Sequence, residues 1–490
     1  MVPEIRVRQL NQAPVRPDRP HVLYWMTANR RTGWNFALEH AVEQSRALGR
    51  PLVVLEALRA GHRWASRRFH AFVLDGMADN RRAFQAAGVT YHAYVEPAPG
   101  DASGLLETLA STAALVVTDD FPCFFLPRMA AAAAARLDVR VDSVDANGLL
   151  PLSATDRLAP TAYVFRRVLQ QLLPRHLPDR PAASPLAGAH PPAAAIADTV
   201  TRRWPDVWSW LARGGSLDAL PINQGVGPTG VPGGSAAAAR ALTTFLDDRL
   251  ADYADRRSQP QEEVASGFSP YLHWGHLSVH QVFDALSTRE GWLGHLPARA
   301  TGAREGWWGM SRPAEAFLDE LVTWREVGFN MCHLRPDDYD RYESLPDWAR
   351  RSLDGHAEDP RDPCYSLEEL EAAATYDPLW NAAQRQLVRE GRIHNYLRML
   401  WGKKILQWTE SPRQALDVMI ELNNKYALDG RNPNSYSGIF WTLGRYDRPW
   451  APERPVFGVI RYMSSENTAR KVRVREYLKR YDAQPGLGLD

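Results

Sequence analysis

Cysteine is nearly missing from this chain: Cys123, Cys332 and Cys364 are the only three in 490 residues, and no two form a C-x-x-C pair. Three scattered thiols cannot frame a disulfide-stapled fold, a four-cysteine zinc site or an all-cysteine iron–sulfur cluster. They suit a reducing compartment, so a cytoplasmic location is expected. Uncharged apolar runs of about 20 residues are also missing, which excludes a membrane-spanning helix and any membrane partner. At the N-terminus Arg6, Arg8, Arg16, Asp18 and Arg19 interrupt what a signal peptide would need. There is no charge excess of one sign, with 58 Lys and Arg against 57 Asp and Glu, so a nucleic-acid surface must come from local clustering. The first 150 residues carry neither G-x-G-x-x-G nor a P-loop, so a standard dinucleotide or nucleoside-triphosphate site is not indicated there.

Aromatic residues are plentiful: 17 Trp, 17 Tyr and 15 Phe, with much of the Trp beyond residue 300. They can build a large core, or a pocket for flat ligands such as a flavin or nucleobases. The first 150 residues alternate strand and helix signals. Strands are expected at 22–26, 52–55, 89–95, 114–118 and 139–144, with helices from Trp34, over 67–85 and over 129–137. This βαβ repetition predicts a doubly wound parallel sheet. Residues 181–200 hold four prolines and eight alanines and read as a connector. From about 240 to 480 nearly every segment has helical periodicity. The expected organisation is an α/β domain over 1–150, a connector over 151–230 and an all-helical domain over 231–490.

Within that helical part, Phe317, Glu320, Leu321 and Trp324 fall on one helical face. A carboxylate on an apolar stripe is either paired with a cation or set to hydrogen-bond a ligand in a dry pocket. Trp401 and Trp408 are seven apart and share a helix face, and Trp380 arrives from the preceding element. The three indoles are either core or a relay for electrons between surface and interior. The run 422–434, with Asn423, Asn424, Asp429 and Asn432, suits orientation of a heterocycle's donor and acceptor edges, or is an exposed loop. Ser266-Gly267-Phe268-Ser269 opens a helix where phosphate can sit, though simple capping explains it too. Eight Arg and Lys residues between Arg454 and Arg480, close after Trp441 and Trp450, form either a solvated face or a nucleic-acid contact.

Five segments in order, SPYLHWG at 269–275, DPLWNAAQ at 377–384, RMLWGKKILQW at 398–408, LDGRNPNSY at 428–436 and ERPVFGVIRYM at 453–463, resemble the photolyase–cryptochrome family, specifically its class II photolyases. VLYWM at 22–26 fits as well. The resemblance implies light-driven repair of cyclobutane pyrimidine dimers by a non-covalent FAD in the helical domain. It implies that Tyr253 and Ser266, Gly267, Phe268 and Ser269 hold the phosphates. Arg398 and Asp429 would form a salt bridge beside the isoalloxazine, and Asn423 would face flavin N5. Trp401, Trp380 and Trp408 would carry electrons from nearest the flavin outward. Glu320, Trp324, Met399 and Trp441 would receive the flipped dimer, while Arg461 and Trp450 would contact DNA. UV-damaged DNA is the implied partner, with no obligate protein partner and a monomeric state. An antenna chromophore, a hydroxydeazaflavin or a folate, is implied by analogy only. The alternative is a blue-light photoreceptor of the cryptochrome type, which is expected to need a longer tail after the basic strip. Two stretches depart from the family pattern: 120–170, and 291–312 with its Trp307-Trp308 pair.

Overall fold

The computed structural model describes residues 1–188 and 190–483. Two compact units interleave along the chain. One contains Met1–Asp156, Leu172–Thr243 and Gly267–Trp292; the other contains Arg157–Gln171, Thr244–Ser266 and Leu293–Asp490.

The first unit is built on a six-stranded sheet: β1 (Val7–Gln9), β2 (His21–Met26), β3 (Leu52–Leu58), β4 (Thr90–Val95), β5 (Ala113–Asp119) and β6 (Val141–Val144). The order is β1-β6-β5-β2-β3-β4, parallel throughout except that β1 runs antiparallel to β6. Every residue of β2 and β5 is buried, as a parallel strand covered on both faces requires. The doubly wound reading holds. The short edge strand β1 escaped it, because three residues centred on Arg8 show no alternation.

Helix starts differ from the periodicity reading for local reasons. The helix Phe36–Leu48 begins after Trp34, because the Asn35 carboxamide accepts the N–H groups of Ala37 and Leu38 at 3.0 and 3.3 Å. Trp34 itself is left-handed, with φ 51°. The helix expected over 129–137 occupies Leu126–Ala134, with Pro127 in its first turn presetting φ. Among its described residues the range expected as a connector carries three α-helices, Ala162–His176, Asp198–Arg203 and Val207–Ala212.

The second unit is helical. Three of its helices, Pro378–Glu390, Pro412–Tyr426 and Pro433–Thr442, start in the same way. A capping Asp377, Ser411 or Asn432 accepts a backbone N–H of the first turn, and proline follows at the first helical position. Between them runs Asn395–Trp408. Gly402 lets this helix approach closely: a Cβ there would lie 2.6 Å from Thr442 Cγ2 and 3.0 Å from Met419 Sδ. That close packing fixes the flanking Trp401 and Lys403.

Candidate active site

Glu320 and Trp324 do not sit on an ordinary α-helix. Residues Asp319–Trp324 form a π-helical turn between the helices Arg312–Leu318 and Arg325–Leu334. Such wide turns insert a residue and re-aim side chains, and they recur at functional sites. Phe317 and Leu321 are buried, whereas Glu320 and Trp324 remain half-exposed. Asp319, which periodicity passed over, is buried and held by Arg166 through two hydrogen bonds, 2.7 and 3.1 Å. The Glu320 carboxylate accepts a charge-assisted hydrogen bond from Arg257 at 2.5 Å. Burial pushes this carboxyl above its usual range, against the pull of the guanidinium. Tyr253 stands beside the pair, its ring 5.5 Å from Arg257 and edge-on to Phe317.

A cavity of about 660 Å³ opens in the same unit. Trp324, Met399, Trp441, Trp450 and Arg461 all line it. Five of the residues singled out from sequence therefore meet at one place, supplied by four separate segments. Glu320 is not among the lining residues.

The charges around the aromatic wall are ordered. Arg461 forks onto Asp447 with bonds of 2.8 and 3.0 Å, and the Trp450 indole N–H donates to the same carboxylate at 3.2 Å. Burial alone would raise Asp447, but these donors hold it below the usual carboxylate range. The Arg461 guanidinium lies 3.9 Å from the Trp450 ring and 5.5 Å from that of Trp441. Trp441 has a second cation, the fully buried Lys403, at 5.2 Å. Lys403 donates to the Thr442 carbonyl at 2.6 Å, at the negative end of the helix Pro433–Thr442. Burial lowers its amine to about 7. Sequence patterning missed Lys403 and Asp447, since a lysine in a helix and an aspartate in a loop look like surface.

The three indoles expected as a relay are neighbours, and all are buried. The Trp380 N–H donates to the Trp401 carbonyl at 3.0 Å, and the rings of Trp380 and Trp408 lie 5.5 Å apart at 75°. Trp401 donates to Gln384 at 2.9 Å. Trp408 has no exposed surface; of the rings packed on it, Tyr376 is 58% exposed and edge-on at 5.5 Å.

Arg398 and Asp429 form the expected ion pair, at 3.4 Å, and Asn423 is buried with its amide donating to Ser435 at 2.6 Å. Guanidinium donors, a carboxylate acceptor and a carboxamide that does both match the edges of an isoalloxazine, so this donor set fits a flavin. Gly267 takes φ 74°, Phe268 is buried and Ser269 begins a five-residue helix without a side-chain cap. The division between the two units falls after Ser266. Among the described residues no cluster of His, Cys, Asp and Glu could hold a metal ion.

Comparison with known proteins adds independent findings. The DNA photolyase family profile matches residues 22–186. The chain is 33% identical over 485 residues to the deoxyribodipyrimidine photo-lyase of Methanothermobacter thermautotrophicus, covering 98% of both chains. It is 32% identical to the deoxyribodipyrimidine photo-lyase of Arabidopsis thaliana, covering 93% of this chain and 88% of that one. The protein of that name from Potorous tridactylus is 30% identical, with 96% and 83% covered. A class III photolyase structure from Agrobacterium tumefaciens superposes with a TM-score of 0.67 at 19% identity, covering 94% of this chain and 86% of that one, and so shares the fold.

Proposed function

The chain belongs to the DNA photolyase family, and from that premise we propose that it repairs cyclobutane pyrimidine dimers in DNA with blue light, as a class II member. The observation that carries this reading is the cavity itself: Trp324, Met399 and Trp441 offer flat and soft apolar surface for two fused bases, with cations along the same wall. The cofactor is FAD, which Arg398, Asn423 and Asp429 would hold, with Tyr253 and Ser266–Ser269 toward its phosphates. Bound there in its reduced form, the flavin would supply light-driven one-electron donation to the lesion, which splits both cyclobutane C–C bonds and gives the electron back.

The chain's own residues do the rest. Trp324 and Trp441 stack on the extruded dimer, which leaves the duplex at reduced cost because it already pairs poorly. Closing apolar walls around it excludes water and strengthens each remaining polar contact. Glu320, set one helical turn before the cavity-lining Trp324 and with its carboxyl raised by burial, would in its protonated form donate a hydrogen bond to a pyrimidine carbonyl as negative charge develops there. Trp401, Trp380 and Trp408 would return electrons from outside when the cofactor is oxidised. The α/β part, residues 1–150, would carry any antenna chromophore, a hydroxydeazaflavin or a folate. Residues 151–230 join it to the catalytic part at 231–490, to which they also contribute Arg157–Gln171. The protein works as a monomer on UV-damaged DNA, in the compartment that holds the DNA. Among the described residues no helix is long and apolar enough to cross a membrane.

The test is repair of an oligonucleotide carrying one thymine dimer, under blue light and in darkness, with reduced protein. Restoration of intact thymines in light alone is expected. Absence of light-dependent repair by flavin-loaded, reduced protein would overturn the reading.

A further inference from the structure

The segment between the helices Val279–Arg289 and Arg312–Leu318, which departs from the family pattern, belongs from Leu293 onward to the helical unit. It has little secondary structure, yet its backbone is tied down on both sides of Arg304. Gln170 accepts the Gly302 N–H at 2.6 Å and donates to the Ala303 carbonyl at 3.0 Å. Arg166, the partner of Asp319, also donates to the Gly302 carbonyl at 3.3 Å. Gly302 has φ 76°, and a Cβ there would lie 2.7 Å from Arg167 and 2.8 Å from Tyr163. On the other side Glu315 accepts the N–H groups of Gly306 and, at 3.3 Å, Met310. Trp307 and Trp308 are buried, edge to face at 4.8 Å.

Between these ties Arg304 is exposed and lines the cavity of Trp324 and Trp441. Arg304 makes no hydrogen bond or ion pair among the described residues, and the Glu320 carboxylate, which feels its charge at longer range, is already paired with Arg257. The cavity's other charges show why this matters. Four cations, Arg304, Arg454, Arg461 and Lys471, face one carboxylate, Asp447, and Arg461 alone is matched with it. A cavity with an aromatic and thioether wall, a surplus of positive charge and an unmatched guanidinium on a fixed backbone suits a ligand that is flat in one part and anionic in another. A dinucleotide has that form.

We propose that Arg304 binds a backbone phosphate of the lesion-bearing strand, so that the 293–311 segment is a DNA-recognition element of this chain. This rests on the reading of the cavity as the dimer site. A guanidinium presents a planar donor fork to phosphate oxygens, and holding its backbone in advance lowers the ordering cost of the contact. Because Arg461 is matched with Asp447, Arg304 contributes more of the phosphate attraction than Arg461 does.

The experiment is a salt titration of affinity, by fluorescence anisotropy, with the full-length flavin-loaded protein and a duplex carrying one thymine dimer or none. For Arg304→Ala the affinity for the lesion duplex should fall about tenfold, as loss of a charged hydrogen bond implies. The log–log salt slope should shrink by about one unit. Arg304→Lys should restore the slope and only part of the affinity, because the charge returns without the fork. Unchanged affinity and slope in Arg304→Ala would overturn the assignment, and so would weaker binding with an unchanged slope, which denotes a contact to base rather than phosphate. Loss of flavin from the variant would place Arg304 at the cofactor and also overturn it. A wild-type protein that binds both duplexes equally would instead overturn the reading of the cavity on which the assignment rests.

Discussion

Lys403 has no exposed surface, and its ammonium is satisfied by a carbonyl and an indole face rather than by a carboxylate at ion-pair distance. Burial lowers its amine from 10.5 to about 7. The folded state therefore binds fewer protons than the unfolded chain between those values. Stability from this group is complete above 10.5 and is lost as pH falls through about 7. Lys403→Met should accordingly flatten the pH dependence of urea unfolding over about pH 7 to 10. Its absolute stability should change little, because the Thr442 carbonyl loses its donor at a cost of about 1–3 kcal/mol while an unfavourable burial disappears. Identical pH slopes in variant and wild type would show that the amine does not titrate there. Trp401 makes a different case, since its indole N–H satisfies the fully buried Gln384. Trp401→Phe should nearly abolish blue-light reduction of the oxidised cofactor by an external thiol, followed by flavin absorbance. Protein reduced chemically beforehand should still repair. Photoreduction at the wild-type rate would mean that electrons take another route.

At the scale of elements, the loop Asp447–Met463, which carries Trp450, Arg454 and Arg461, is fastened at its middle by a histidine. His356 points Nδ1 at Asp359, 2.6 Å away, and Nε2 at Glu453, 2.9 Å away. Asp359 also accepts the Val456 N–H at 2.8 Å, and Val456 itself is left-handed with φ 68°. A neutral imidazole donates from one nitrogen only, so two carboxylates are both satisfied only by the imidazolium. Hydrogen bonds to Glu453 and Asp359 raise the imidazole above its ordinary 6.5. The fastening is complete below 6.5 and is released as pH rises through the raised value. Arg361, the nearby guanidinium, donates to the backbone carbonyls of Ala357 and Asp359. Affinity for lesion DNA should thus decline above that pH in wild type, and His356→Gln should flatten the decline. Parallel pH profiles for the two proteins would exclude the fastening as their cause.

At the scale of the whole molecule, the helical unit is not contiguous in sequence. Residues 157–171 belong to it, and they supply Arg166 to the buried Asp319. They also exchange hydrogen bonds with Asn330, which accepts the Ala159 N–H and donates to the Arg157 carbonyl, both at 3.2 Å. A fragment of 231–490 would leave Asp319 buried without its guanidinium, a loss of about 3–5 kcal/mol for a broken buried pair. It would also retain Gly267–Trp292 without the rest of the first unit. That fragment should be insoluble or flavin-free, whereas one extended to begin before residue 157 keeps the helical unit whole. A soluble 231–490 fragment with a full flavin spectrum would show that Arg157–Gln171 is dispensable.

The parallel sheet was legible because β2, β3 and β5 each hold a continuous apolar run of four or more residues, and such runs can be buried only between covering layers. The aromatic residues that line the cavity were legible for a similar reason, since their type is costly to place at random and they fell in recognisable segments. Helix starts were less so, because caps such as Asn35 and turns such as Pro127 override periodicity. The π-helical turn at Asp319–Trp324, the charge matching of Arg461 with Asp447 and the burial of Lys403 left no local mark at all. Each depends on which distant residue arrives opposite: Arg166 for Asp319, Asp447 for Arg461, Thr442 and Trp441 for Lys403. A charge's state is set by its partners and its distance from water, and both come into being only when the chain packs.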